Sequence, residues 1–393
     1  MNAPELGRFS RHGLTGRTSS SLRRNRDHKR RLTLESLEQR TLMTVTFTEF
    51  PIPALSSSSQ AITTGPDGNL WFTERNFSNK IGQVTPAGVF QEFDLPTAQS
   101  GASAIAAGPD GNVWFTEQDR NKIGRITPAG TISEFAITTN VAQPVSIATG
   151  ADDNLWFTEN NRAKIGRITP AGVVTEFLVP NVPVGITSGP DGNLWFTEQA
   201  GSNIGRISPV GDVTEFPIPD AAGIPSGITA GPDGNLWFTE MNVNKIGQIT
   251  PAGVLHEFTI PTANSQPDGI TKGPDGNLWF AESGVGQIGQ ITPAGVFAEF
   301  PTPTADSAPF GITAGPDGNV WFTEGAANNV VRAKLPPGPR TLQLYVGMSE
   351  PAFPPLGGVP SPPLGVGMPR RTARSRVHRK GSSSHYLGYG AVF

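Results

Sequence analysis

Gly231-Pro232-Asp233-Gly234-Asn235-Leu236-Trp237-Phe238-Thr239-Glu240 reads as a tight turn followed by a strand. Pro-Asp-Gly-Asn is turn chemistry, with the glycine free to take φ > 0, and Leu-Trp-Phe-Thr-Glu is a short β-prone run. Near-copies recur with tryptophans at 71, 114, 156, 195, 237, 279 and 321, at intervals of 43, 42, 39, 42, 42 and 42 residues. Each copy continues into a second run (Asn244-Lys245-Ile246-Gly247), a Pro-Ala-Gly turn and a third run (Glu257-Phe258-Thr259-Ile260-Pro261). With the run that precedes each Pro-Asp-Gly turn, around Ile62 in the first copy, every unit holds four strands, A to D. Seven such units of about 40 residues predict an all-β, seven-bladed propeller of four-stranded blades.

The ends of the array support a closed ring. Val45-Thr46-Phe47-Thr48-Glu49-Phe50-Pro51-Ile52-Pro53 matches strand D but precedes the first A strand, while the last unit runs from Val330-Val331 into Leu335-Pro336-Pro337 with no D of its own. The N-terminal strand is therefore expected to complete the last blade, which removes an open sheet edge. The propeller is assigned to 45–335, between a basic arm (1–44) and a Pro/Gly-rich basic tail (336–393) expected to be disordered.

Composition agrees with this reading and excludes several function classes. Gly 47 and Pro 37 in 393 residues are too many helix breakers for an α-rich fold. Apolar residues are too dispersed for a membrane-spanning helix. Zero cysteines exclude disulfides, a thiol nucleophile and Cys-ligated zinc or iron–sulfur sites. Basic and acidic residues number ten and four in 1–44, 13 and 28 in 45–335, and seven and one in 336–393. An acidic body between basic tails repels phosphate backbones, so no specific nucleic-acid partner is expected.

Within each unit the Trp and Phe alternate across strand B and are read as inter-blade core rather than as a carbohydrate platform. Asp67, Asp110, Asp191, Asp233, Asp275 and Asp317 are read as turn residues rather than calcium ligands. The third unit has Ala151-Asp152-Asp153-Asn154 at this place, which predicts a distorted turn.

Strand A lies nearest the propeller axis, and the residue eleven before each Trp is Gln60, Ser103, Val145, Val184, Ser226, Asp268 or Phe310. These seven are expected to ring one end of the channel. Counting from the A–B turn puts the Glu of each Trp-Phe-Thr-Glu run opposite its ring residue. Lys80, Lys122, Lys164 and Lys245 are then expected to pair with four of these Glu across the B–C hairpin. Glu282 and Glu324 lack such a lysine, and Asp268 stands near Glu282. Crowded carboxylates raise a pKa or recruit a divalent ion, unless a wet channel mouth simply solvates them.

The repeat Gly-Pro-Asp-Gly-Asn-Leu-Trp-Phe-Thr-Glu, with Asn-Lys-Ile-Gly and Glu-Phe-Thr-Ile-Pro, resembles the virginiamycin B lyase (streptogramin lyase) family over all seven blades. That resemblance implies a magnesium-dependent elimination that opens a depsipeptide ring. It implies a Tyr in the first blade, a His in each of the last two and two Glu in the last. On this chain those positions fall on Gln60, Asp268, Phe310, Ala308 and Glu324. Glu324 alone keeps the family's residue type, and every other blade carries the same Glu.

The leading expectation is thus a catalytically altered propeller, acting as a monomer, that binds a small molecule or a cell-surface polymer. Gln60, Ser103, Ser226, Asp268 and Phe310 are its candidate ligand-binding residues. The alternatives are an active lyase, with Asp268 and Glu324 in catalysis and magnesium on Glu282 and Glu324, and a purely structural surface module. Residues 34–42, with Leu34-Glu35, Leu37-Glu38, Arg40 and Leu42, resemble a leader found ahead of some bacterial surface proteins, so an extracellular or cell-surface location is expected.

Overall fold

The computed structural model describes residues 45–336 apart from 56, 76 and 77. The expectations for 1–44 and for the tail beyond 336 lie outside the described residues. Strand β1 (Thr46–Pro51) is followed by β2 (Ser59–Thr64), β3 (Leu70–Glu74), β4 (Lys80–Val84) and β5 (Phe90–Asp94), and β2 to β5 form blade 1. Strands β6 to β25 repeat this meander as blades 2 to 6, between Ala102 and Pro301. β26 (Pro309–Ala314), β27 (Val320–Glu324) and β28 (Asn329–Lys334) begin blade 7.

β1 closes the ring as the spare D strand predicts. It pairs antiparallel with β28, from Thr46 opposite Lys334 to Pro51 opposite Asn329. The last blade is thereby four-stranded like the others.

Burial explains why the repeat takes this form. In every blade strand B is buried from end to end, with both the Trp and the Phe fully covered. The Trp face of one blade packs on the Phe face of the next, so Trp71 and Ile81 of blade 1 share a cluster with Ile105, Val113, Phe115 and Ile126 of blade 2. Trp71 also stacks on Phe93 of its own D strand, at 5.5 Å and 14°. Each fully buried aromatic contributes about 1.5–3 kcal/mol of apolar transfer, so seven repeated seams dominate the fold's cohesion. The glycine of Lys-Ile-Gly is needed because the Phe ring crosses strand C there. A Cβ on Gly82 would lie 2.1 Å from Phe72 Cζ.

The aspartates of the A–B turns hold the tryptophans. Asp67 Oδ1 accepts Trp71 Nε1–H at 3.0 Å, and the same bond recurs in the other six blades. Burial alone would raise Asp67, but hydrogen bonds from Trp71 and Asn69 outweigh it and hold the carboxyl below its ordinary value. The turn of blade 3 is not distorted as expected. Asp152 keeps the bond to Trp156, and Asp153 adopts φ 56 where the other blades have glycine. Aspartate tolerates the left-handed region better than most residues.

Candidate functional site

The seven ring residues do meet. Gln60, Ser103, Val145, Val184, Ser226, Asp268 and Phe310 all line one cavity of about 480 Å³. Below them lies a second tier that is glycine in blades 4 to 7 (Gly185, Gly227, Gly269, Gly311), and below that a tier of seven isoleucines running from Ile62 to Ile312. The mouth is therefore mixed in polarity over an apolar floor.

A β-bulge in strand A creates this geometry. In blade 1 Ser59 faces Glu74 and Ile62 faces Phe72, so Gln60 and Ala61 together oppose the single residue Thr73. The same slip occurs in every blade. The bulge takes one backbone N–H out of the ladder, and the strand-B threonine replaces its partner: Ala61 N–H donates to Thr73 Oγ1 at 3.1 Å. That hydroxyl in turn donates to the Ser103 carbonyl of blade 2 at 3.2 Å. Thr158, Thr197, Thr239 and Thr323 make the same link from their own blades to the ring residue of the next. The second-tier glycines permit the close approach, since a Cβ on Gly311 would lie 2.2 Å from the Gln60 carbonyl oxygen.

The bulge also corrects the register expected from counting. Each Glu faces the residue before the ring position, so Glu282 pairs with Pro267 and Glu324 with Pro309. Both glutamates are fully buried. Neither is among the residues on the cavity wall, whereas Asp268 is.

The expected Glu–Lys pairing is corrected as well. Lys122 sits across from Glu117 in register, yet its ammonium bonds Glu134 Oε2 of strand D at 2.6 Å and Thr97 Oγ1 at 2.6 Å. Lys164 goes to Glu176, Lys245 to Glu257 and Asp220, and Lys80 to Asp94 with Glu92 beside it. The strand-B carboxyls are left in apolar surroundings with few donors, and burial raises each of them above its ordinary value. Burial, with the Glu134 charge adding, pushes Glu117 up to about 8. Burial and the Glu299 charge do the same to Glu282, to about 8. Glu324 is raised by burial although Asn329 and Ser307 bond it.

Asp268 is the carboxylate of the mouth. It is 8 % exposed, and its Oδ1 accepts the Ser226 hydroxyl at 2.8 Å. Burial outweighs that bond and lifts the carboxyl to about 6. Phe310, on the next blade, is 38 % exposed. On its far side Arg75 Nη1 donates to Gln60 Oε1 at 3.2 Å.

Counting did not anticipate one part of the wall. Arg75, Gln118, Asn160 and Gln199 also line the cavity. Each directly follows its blade's buried Glu, in a column that reads Arg, Gln, Asn, Gln, Met, Ser, Gly around the ring. Variation at this column, as at the ring positions themselves, was the available signal.

A profile of the virginiamycin B lyase family matches residues 36–182 and 180–352. The chain belongs to the virginiamycin B lyase family. Among solved structures it is similar to a streptogramin B lyase at 38 % identity and TM-score 0.72, covering 75 % of this chain and 99 % of that one. It is equally similar to virginiamycin B lyase from Staphylococcus aureus, at 38 % identity and TM-score 0.71, covering 74 % and 100 %. A catalytically inactive histidine-to-alanine variant of the same enzyme with quinupristin matches at the same identity and score. An extracellular domain of a putative hybrid two-component system from B. thetaiotaomicron shares the fold at 16 % identity and TM-score 0.57. A search of curated protein sequences gave no match.

Set against the lyase family, the mouth has no histidine. His256, the one histidine among the described residues, stands in strand D (Leu255–Thr259) of blade 5. Nor do the residues fit the family's magnesium. Glu282 and Glu324 are buried away from the wall that carries Asp268, and no three His, Cys, Asp or Glu among the described residues stand together as a metal cluster. No helix among them is long and apolar enough to cross a membrane.

Proposed function

We propose that this chain is a ligand-binding member of the lyase family that has lost the elimination chemistry, and that a small molecule seats at the channel mouth. The observation that carries the reading is the composition of the cavity wall. Asp268 and Arg75 are its ionisable side chains, and Phe310 occupies a position where the resemblance implies a proton-transferring histidine. Elimination of an ester needs a base at the Cα–H and an acid or metal at the departing oxygen, and the loss of each costs ~10²–10⁴ in rate. Asp268 can accept a proton, but phenylalanine can supply none. What the mouth retains is a recessed, partly apolar cavity with convergent polar groups, which is the usual character of a small-molecule site. The same proposal places the protein outside the cell, on the leader-like residues 34–42, and working as a single ring.

Soaking crystals of the protein with a fragment library tests the binding reading. Fragments ordered against Ser226, Asp268 and Phe310 are expected. A library that orders elsewhere on the ring and leaves this mouth empty would favour a structural module instead.

A further inference from the structure

Resting on the reading of the mouth as a binding site, we infer that it selects organic ammonium ions carried on an apolar body. The nitrogen would meet Asp268, and the body would lie on Phe310 and the valines opposite.

Asp268 is an anion short of partners. Its protein hydrogen bond comes from Ser226 Oγ to Oδ1, and it takes part in none of the ion pairs among the described residues. A carboxylate offers about four acceptor sites. Keeping such a group 92 % covered without a counter-charge is unfavourable, so a ligand that brings a cation with N–H donors recovers interaction the protein does not supply. Lys272 shares strand β22 (Pro267–Lys272) with Asp268 but sits at its opposite end. Arg75 is turned to Gln60.

The neighbouring blade adds a second feature that suits an ammonium. Phe310 is the ring residue next to Asp268, and its exposed face in the cavity can take cation–π contact where the ion is partly desolvated. Val145 and Val184 of blades 3 and 4 give the wall opposite an apolar surface, and the isoleucine tier gives an apolar floor. A small hydrated metal ion would waste both features. The Arg75 guanidinium beyond Phe310 disfavours a second positive charge and prefers a carbonyl or carboxylate at the far end of the ligand. The ligand class is therefore a monocationic amine with an aromatic or branched apolar body.

The elevated Asp268 carboxyl agrees with this arrangement. A group that burial lifts to about 6 is ionised at pH 7 but gains from any cation that displaces the water beside it.

Calorimetric titration of the full chain with phenethylamine, 2-phenylethanol and 3-phenylpropionate at pH 7.5 separates the possibilities. The amine is expected to bind at least about tenfold more tightly than the alcohol, and the propionate more weakly than either. Asp268→Asn, which keeps the side-chain shape and a partner for Ser226, should bring amine and alcohol within about twofold. Phe310→Ala should weaken both, and the melting curve of each variant confirms folding. Equal binding of amine and alcohol to the parent overturns ammonium selection while leaving the mouth a binding site. A preference that survives Asp268→Asn, or no binding of the amine at millimolar concentration, also overturns it. None of these outcomes depends on lyase turnover, so the inference and the loss-of-chemistry reading fail separately.

Discussion

Thr239 Oγ1 lies 2.8 Å from the Asp268 carbonyl of the next blade while accepting Gly227 N–H at 2.9 Å. One hydroxyl thus satisfies a bulged backbone N–H and fixes the ring residue that follows. Six blades carry a threonine at this place, and blade 6 has Ala281, which has no hydroxyl to offer Gly269 or Phe310. Thr239→Ala is expected to destabilise the fold by about 1–3 kcal/mol, because the buried Asp268 carbonyl and the part-buried Gly227 N–H both lose their partner. Ala281→Thr should stabilise it by about 0.5–1.5 kcal/mol. Denaturant unfolding checks both, and a neutral Thr239→Ala would show that the bridge contributes nothing.

The second-tier glycines make a sharper steric prediction. A Cβ on Gly311 falls 2.2 Å from the Gln60 carbonyl oxygen, a backbone atom that cannot swing aside. Gly311→Ala should therefore cost about 1–3 kcal/mol by forcing two inner strands apart. Alanine stands at the equivalent position 61 of blade 1, so Ala61→Gly should be far milder. Parallel melting curves compare the two.

Stability should decline from mildly acidic to mildly alkaline pH. Glu74 and Glu159 are lifted by burial to about 7, and Glu117, Glu240 and Glu282 to about 8, from an ordinary 4.5. Between those values the folded chain holds protons that the unfolded chain has released. The contribution is therefore complete below about 4.5 and is lost as pH rises through 7 to 8. Opposing groups set the acid limit. Asp67 and its counterparts Asp110, Asp152, Asp191 and Asp233 are held low by hydrogen bonds that outweigh burial, and they lose their contribution as pH falls below the ordinary 3.8. The melting temperature should peak near pH 5 and fall toward pH 8. Glu282→Gln should raise it at pH 8 and change it little at pH 5. A flat profile for the parent would contradict the buried, protonated carboxyls.

The seven tryptophans and the spare strand at Thr46–Pro51 made the blade count and the closure readable, because each blade must bury the same aromatic pair and the ring must cover its last edge. The ring residues were readable for the same reason, since a fixed count back from a buried Trp lands on one place in every blade. The glutamate environment was not. A bulge adds one residue to strand A without changing the composition of the repeat, so counting placed Glu282 and Glu324 one position off. Lysine choice was hidden too: Lys122 has Glu117 across from it, but Glu134 offers a wetter carboxylate together with Thr97. Solvation decides between two acidic partners, and a sequence does not show it.

Blade 3 allows a local test of turn chemistry. Asp153 takes φ 56 where its counterparts are glycines, such as Gly192 at φ 79. Asp153→Gly should stabilise the turn by under about 1 kcal/mol, since the left-handed region carries no side-chain penalty for glycine. Asp153→Val should instead destabilise the turn, because a β-branched residue is poorly tolerated at this φ. Both shifts are read by thermal denaturation.

The claim on which the functional account turns is that a lyase-family ring has lost its elimination chemistry at Phe310 and Asp268. Incubating the full chain with quinupristin and Mg²⁺, and following the ring-opened product by mass spectrometry, tests it directly. Product is expected to form no faster than in buffer alone. Product that accumulates in proportion to protein concentration, and that Asp268→Asn abolishes, would contradict the account.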